Sequence, residues 1–142
     1  MAVRSHAAPA PFGWDGAQLS GQTEAYVLLH EIAHYQLAPM DRRRLIEFGL
    51  GPGPDTTDYP GAERAAQLHG IERDREEAMA SLLGILWETA LGHPALASFL
   101  DQNWLEGAAD GRAARHFTGV LHRLTADGFV DARCRPTFLT RA

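Results

Sequence analysis

Residues 23–37 of this 142-residue chain read Thr-Glu-Ala-Tyr-Val-Leu-Leu-His-Glu-Ile-Ala-His-Tyr-Gln-Leu, and they contain an HExxH pentapeptide at residues 30–34. The run is rich in good helix formers and has no internal glycine or proline, which predicts a helix that ends before Ala38-Pro39. Residues four apart on a helix lie on one face, so His30 and His34 can reach the same metal ion. Glu31 lies roughly a quarter-turn away, where its carboxylate can contact a water on the metal.

An HExxH pentapeptide alone is a weak signal, because a chain with seven histidines can contain one by chance. The alternative interpretation is that both imidazoles are ordinary core or surface groups. The helical context favours the metal site, since Val27, Leu28 and Leu37 supply apolar side chains that can pack around the histidines.

The rest of the chain predicts one mainly α-helical domain over residues 1–142 with little or no sheet. We expect further helices at about 42–48, 62–69, 71–91, 95–100 and 112–126, separated by glycine-rich and proline-rich loops. Residues 1–20 are predicted to form an irregular N-terminal arm, with Phe12 and Trp14 as anchors. Residues 129–142 are predicted to form a tail whose anchors are Phe129, Val130, Phe138 and Leu139.

Two histidines hold a metal weakly, so a third protein ligand is expected. His34 is followed by Tyr-Gln-Leu-Ala-Pro, which excludes the class of site in which another histidine follows a glycine turn. A glutamate on a second, crossing helix is the alternative. Glu77 fits that role, because Ser81 and Gly84 continue its helical stripe and small residues permit close helix packing.

Glu72 and Glu76 remain alternative third ligands on the same helix. They could instead simply solvate its acidic first turns, where carboxylates also suit the helix dipole. With any of the three, the predicted architecture is a compact zincin-like domain, in which the HExxH helix is crossed by a carboxylate-bearing helix.

Several other polar and aromatic residues are assigned structural roles. The run Arg42-Arg43-Arg44 is predicted to be a solvated helix face, with the alternative that one of its cations holds an anionic group of a substrate. Structural roles are also assigned to His69, His93, His116 and His122, with the alternative that one of them stabilises a substrate oxyanion. Trp87 and Trp104 are predicted to be core residues, and Cys134 an inert thiol.

The net charge of −5 argues against a general nucleic-acid binder. All thirteen basic residues are arginine, which excludes a Schiff-base lysine. The apolar runs are too short for a membrane span, and the first residues lack the apolar stretch of a signal peptide. We therefore expect a cytoplasmic protein without a membrane partner, of unknown oligomeric state.

Residues 27–49 resemble the elongation factor P hydroxylase family. That family has an HExxH helix, an aromatic residue, and an Arg-Arg helix ending in an acidic-Phe-Gly turn. Tyr35, Arg43-Arg44 and Glu47-Phe48-Gly49 match these features. Two further patches, Ala90-Leu-Gly92 and Asn103-Trp-Leu-Glu-Gly107, extend the similarity to about residue 122, the latter with one residue inserted. The chain departs from the family in its shorter N-terminal region and in Leu50–Asp55, which replaces an aromatic run and a Pro-Asp-Gly turn.

The resemblance implies a mononuclear metal site of His30, His34 and one carboxylate, and a hydroxylase acting on a modified lysine of a translation factor. The ligand set suits Fe(II) in oxygen chemistry. It equally suits Zn(II) in a gluzincin-like metallopeptidase, with Glu31 as the general base. A third hypothesis is a non-catalytic metal-binding scaffold. The sequence leaves these three open.

Overall fold

The computed structural model describes residues 2–4, 13–20, 24–54 and 56–142. These residues form the helices α1 (Ala25–Leu37), α2 (Tyr59–Ala65), α3 (Gly70–Ala90), α4 (Leu96–Asp101) and α5 (Arg112–Ala126). Single 3₁₀ turns span Arg42–Arg44, Ile46–Gly49 and Ala108–Asp110. The prediction of a mainly helical fold is confirmed. Among the described residues, no helix is both long enough and apolar enough to cross a membrane.

The helices α1 and α3 pack together along their lengths and carry the main core. Alanines and leucines on their facing sides, such as Ala33, Leu37 and Leu83, are buried against α5 and the residues that follow it. Leu124, Phe129 and Val130 close this core from the α5 side. The structure therefore presents the HExxH helix and the predicted carboxylate helix as one rigid pair.

The segment predicted to be an irregular arm contains three short strands, which corrects that expectation. These strands are β1 (Ala2–Arg4), β2 (Gly13–Trp14) and β3 (Gln18–Ser20), and they form a sheet in the order β1-β3-β2. β1 runs parallel to β3, and β2 runs antiparallel to it. Strands of two or three residues are too short to show the alternation by which strands are recognised. Trp14 is buried, as expected of an anchor, whereas Phe12 lies outside the described residues.

Residues 42–48 do not form the continuous helix that was predicted. Asp41 does cap the segment, since its Oδ1 accepts a hydrogen bond from the backbone N of Arg42 at 2.9 Å. The chain then breaks into two 3₁₀ turns, and Glu47 and Phe48 have left-handed backbone conformations with φ of 49° and 53°. Non-glycine residues adopt this region only where tertiary contacts impose it, which local propensity does not report.

Two further boundaries differ from the prediction. α2 begins at Tyr59 because Asp58 Oδ1 accepts a hydrogen bond from Gly61 N at 2.9 Å, and it ends at Ala65 rather than near His69.

In the C-terminal tail Phe129 and Val130 are buried as predicted, but Phe138 is 88% and Leu139 45% exposed. The tail is held by its backbone instead, because Gln36 Nε2 donates to the carbonyls of Thr137 and Leu139.

Candidate metal centre

The two histidines of α1 converge as their spacing predicts. His30 Nε2 and His34 Nε2 are 3.0 Å apart, and the two rings meet edge to face. His34 is buried, whereas His30 is half-buried. The rings therefore point their Nε2 atoms at one location rather than at separate parts of the surface.

Gly84 allows α3 to cross α1 directly beside His30. A Cβ atom at position 84 would lie only 3.0 Å from His30 Cα, so any larger residue would push the helices apart. Ser81, the other small residue of the predicted stripe, has a different role. Its Oγ accepts a hydrogen bond from Trp104 Nε1 at 2.8 Å, so it ties α3 to the segment after α4.

The close crossing brings Glu77 to both histidines. Its Oε2 lies 3.3 Å from His34 Nε2 and 3.7 Å from His30 Nε2. Two ligands bound to a tetrahedral ion at about 2.0–2.1 Å are about 3.3 Å apart, and two at right angles about 3.0 Å apart. The separations of 3.0 Å and 3.3 Å match these values, and the 3.7 Å between Glu77 and His30 is longer. His30, His34 and Glu77 are accordingly a group that could hold a metal ion.

The three groups are electrostatically coupled. Burial alone would lower the pKa of His34, but attraction and a hydrogen bond to Glu77, together with the charges of Glu31 and Glu76, raise that pKa to about 9. Burial lowers the pKa of His30, against a hydrogen bond to Glu77. Burial would raise the pKa of Glu77, but the charge of His34 and bonds from both rings hold it well below the ordinary value. A divalent ion would take the place of the proton on His34.

Two more carboxylates approach the same group. Glu31 is buried, its Oε2 has no hydrogen-bond partner among the described residues, and burial raises its pKa to about 7. Burial raises the pKa of Glu47 to about 6, while a hydrogen bond from Thr56 Oγ1 at 3.2 Å works in the opposite direction. Both groups are thus poised to exchange protons near neutral pH.

The Nδ1 atoms of the two histidines differ from those of most metal sites in their hydrogen bonding. Within the described part of the chain, Nδ1 of His30 and Nδ1 of His34 are buried without a hydrogen-bond partner. Metal-ligating histidines ordinarily donate this N–H to a carboxylate or carbonyl. The His34 ring is instead oriented by packing, since Phe48 stacks on it at a centroid distance of 5.7 Å and Trp14 stacks on Phe48 at 5.1 Å.

The two alternative ligands lie elsewhere. Glu72 is exposed on α3 and does not join the group. Glu76 is buried, and its Oε2 accepts a hydrogen bond from Arg42 Nη2 at 2.6 Å. Arg42 is therefore no solvated surface residue, which corrects the sequence prediction for this position. Its Nη1 also donates to the carbonyl of Phe48 at 3.0 Å, and this bond ties the 46–49 turn to α3.

A pocket of about 230 Å³ opens in front of the three ligand atoms. Its walls carry three carboxylates, Glu31, Glu47 and Glu77, and one guanidinium, Arg73. Phe48 and residues of the 50–56 loop complete the walls. The sequence pointed to Glu31 and Glu77 but assigned no site role to Glu47 or Arg73. The only sequence signals were the Glu47-Phe48-Gly49 match and the one-turn spacing of Arg73 from Glu77.

The other residues considered in the sequence stay away from this pocket. His69, His93, His116 and His122 are all exposed and none lines it. Trp104 is buried in the core as predicted, and the half-buried Trp87 packs against the same core. Asn103-Trp-Leu-Glu-Gly107 contacts α3 through Trp104 and Ser81, so it supports the carboxylate helix without entering the pocket.

No protein-family model, no curated protein and no solved structure matches this chain.

Proposed function

We propose that the chain is a mononuclear metal-dependent enzyme of the hydroxylase type, in which His30, His34 and Glu77 hold one divalent ion. The observation that carries the proposal is the convergence of their three donor atoms on the wall of a pocket. Two histidines and one carboxylate with open positions form the ligand set of non-haem Fe(II) oxygenases. The resemblance of residues 27–49 to elongation factor P hydroxylases supports the same activity on a protein side chain.

The pocket suits a single long side chain as substrate. A volume of about 230 Å³ is too small for a folded segment of a partner protein. The carboxylates of Glu31 and Glu47 favour a cationic end group, in keeping with a modified lysine of a translation factor. Glu47 is held in place by Thr56, so a cation can approach it without rearrangement of the 46–49 turn.

The identity of the metal separates the candidate chemistries. Fe(II) would supply dioxygen activation for hydroxylation, whereas Zn(II) would polarise a carbonyl as a Lewis acid. The chain's own residues contribute the rest. His30, His34 and Glu77 hold the ion, Phe48 fixes the His34 ring, and Glu31 holds a proton beside the open side of the group.

A zincin-like metallopeptidase is the second candidate, and Glu31 is the observation that favours it. Its buried carboxylate, with a pKa of about 7, is suited to take a proton from a water that attacks a carbonyl. An extended peptide usually binds to an exposed strand edge. None of the described strand residues lines the pocket, which favours the hydroxylase. A non-catalytic metal-binding scaffold is the third candidate.

Metal analysis tests the site itself. Protein purified without added metal is expected to contain one equivalent of iron or zinc by elemental analysis. His30→Ala and Glu77→Gln should lose it, whereas Glu72→Gln, a matched change on the exposed face of α3, should keep it. Retention of the metal by Glu77→Gln would show that the ligand set is wrong.

The reaction type is tested on the same samples. The hydroxylase proposal predicts iron in protein purified under anaerobic conditions, and no cleavage of casein by the wild type. Stoichiometric zinc together with casein cleavage that disappears in Glu31→Gln would establish the peptidase instead. Bound metal with neither oxygen consumption nor peptide cleavage would support the scaffold.

A further inference from the structure

Arg73 is the cationic group in the wall of the metal pocket. It lies on α3 one helical turn before Glu77, so both side chains project from the same face of the helix. Arg73 is half-buried and lines the pocket together with the three glutamates. A cation placed among the candidate ligands has no role in holding a positive metal ion.

Within the described residues, the guanidinium of Arg73 is only partly paired. Its Nη2 donates to the carbonyl of Pro52 at 3.2 Å, and its Nε is buried without a hydrogen-bond partner among the described residues. A guanidinium carries five N–H donors, and burial of unpaired donors is unfavourable. In the described part of the chain, no carboxylate lies within ion-pair distance of Arg73.

Arg42, a buried arginine outside this pocket, provides the contrast. Its guanidinium is neutralised by Glu76 at 2.6 Å and donates a second bond to the carbonyl of Phe48. This arginine is thus paired with both a carboxylate and a carbonyl of the chain. Among the described residues, Arg73 has only a carbonyl as hydrogen-bond partner, and it lines the pocket.

We propose that Arg73 forms a carboxylate-binding subsite of this pocket. Planar guanidinium groups bind carboxylates through two parallel hydrogen bonds, a geometry that no other side chain offers. The ligand carries one carboxylate at Arg73, and the rest of it extends through the pocket towards Glu77 and the two histidines. The subsite needs no bound metal, because Arg73 belongs to the chain.

The charges in the pocket permit one carboxylate beside Arg73. With a divalent ion bound, the two positive charges and that of Arg73 balance the carboxylates of Glu31, Glu47 and Glu77. The acidic groups lie on α1, on the 46–49 turn and at Glu77, whereas Arg73 faces Pro52 of the loop. A carboxylate can therefore contact Arg73 at the loop side of the pocket.

Isothermal titration of metal-free and zinc-loaded protein with glutarate tests the subsite. The wild type is expected to bind glutarate in both states, and Arg73→Gln to weaken binding about ten- to one-hundred-fold, since charge-assisted bonds are among the strong ones. Arg75→Gln is the matched control, because Arg75 is exposed on the same helix and lies outside this pocket. It should leave the affinity unchanged.

Two probes distinguish the sources of the carboxylate. If the ligand is a small organic acid, glutarate binds more tightly than the capped peptide acetyl-Gly-Glu-Gly-amide; the reverse order indicates an acidic side chain of a protein. Absence of glutarate and peptide binding by the wild type, or equal loss in Arg73→Gln and Arg75→Gln, would overturn the subsite. If the protein binds glutarate but never retains a metal, the subsite is supported and the proposed enzyme function is contradicted.

Discussion

Glu76 and Glu77 are neighbours in sequence, yet they belong to two different clusters on α3. Glu76 is buried and pairs with Arg42 in the cluster that joins α3 to the 46–49 turn. The side chain of Glu77 is 41% exposed and meets two imidazoles at the pocket. One residue along a helix rotates the side chain by about 100°. One carboxylate can therefore serve packing while the next faces the site.

The difference between the clusters lies in whether the positive partner can be replaced. An arginine stays charged at every accessible pH, so Arg42 and Glu76 form a permanent pair. The proton that His34 shares with Glu77 can leave when a metal ion arrives. The first cluster is expected to govern folding, and the second to govern metal affinity.

Glu76→Ala should have the largest effect on folding. It leaves the guanidinium of Arg42 buried without its carboxylate, which costs about 3–5 kcal/mol in comparable cases. Denaturant unfolding of metal-free protein measures the change. Glu77→Ala is the comparison, and a loss of similar size there would show that the two clusters are not distinct.

Zinc should stabilise the wild type but not the site variant. At a free zinc concentration 100-fold above the dissociation constant, the free energy of unfolding should rise by about 2.7 kcal/mol. Glu77→Gln should abolish most of this gain. Thermal unfolding with and without zinc gives both values, and an equal gain in the two proteins would mean that zinc binds elsewhere.

Gly84→Ala tests the close crossing of α1 and α3 that brings Glu77 to the two histidines. The added methyl group would lie 3.0 Å from His30 Cα, and overpacking of this kind costs about 1–3 kcal/mol. Zinc affinity should fall as well, because α1 and α3 must separate. Gly119→Ala on α5 is the control. Its Cβ would meet nothing within 4 Å, so it should be neutral or stabilising by up to about 1 kcal/mol.

Glu72→Gln should have the smallest effect. The residue is exposed on α3, and surface changes of this type stay within about 0.5 kcal/mol. Zinc affinity should also be unchanged, as measured by titration. A clear drop in affinity would restore Glu72 as a ligand and would contradict the geometry of Glu77.

The helices and the ligand group were accessible from the sequence because their signals are local. A four-residue spacing defines His30 and His34, and the stripe from Glu77 to Gly84 indicates a helix that can approach them closely. The strongest helices were placed to within about a residue, since glycine and proline mark their ends.

The remaining features depend on contacts between distant residues. Arg42 lies in a run of three arginines that is typical of a solvated face, and only its pairing with a carboxylate 34 residues away explains its burial. Glu47 enters the pocket because its backbone is left-handed, a conformation that local propensity does not predict for glutamate. Arg73 becomes notable only once its neighbours in the pocket are known.

The left-handed pair Glu47 and Phe48 has a consequence for directed evolution of this protein. Each such conformation costs about 1–3 kcal/mol in a residue other than glycine. A library screened only for thermal tolerance should therefore drift towards glycine at both positions. That drift would remove the Glu47 carboxylate and the Phe48 ring that stacks on His34. The resulting protein would be more stable but would lack two side chains of the pocket wall. Screening in the presence of zinc would oppose it.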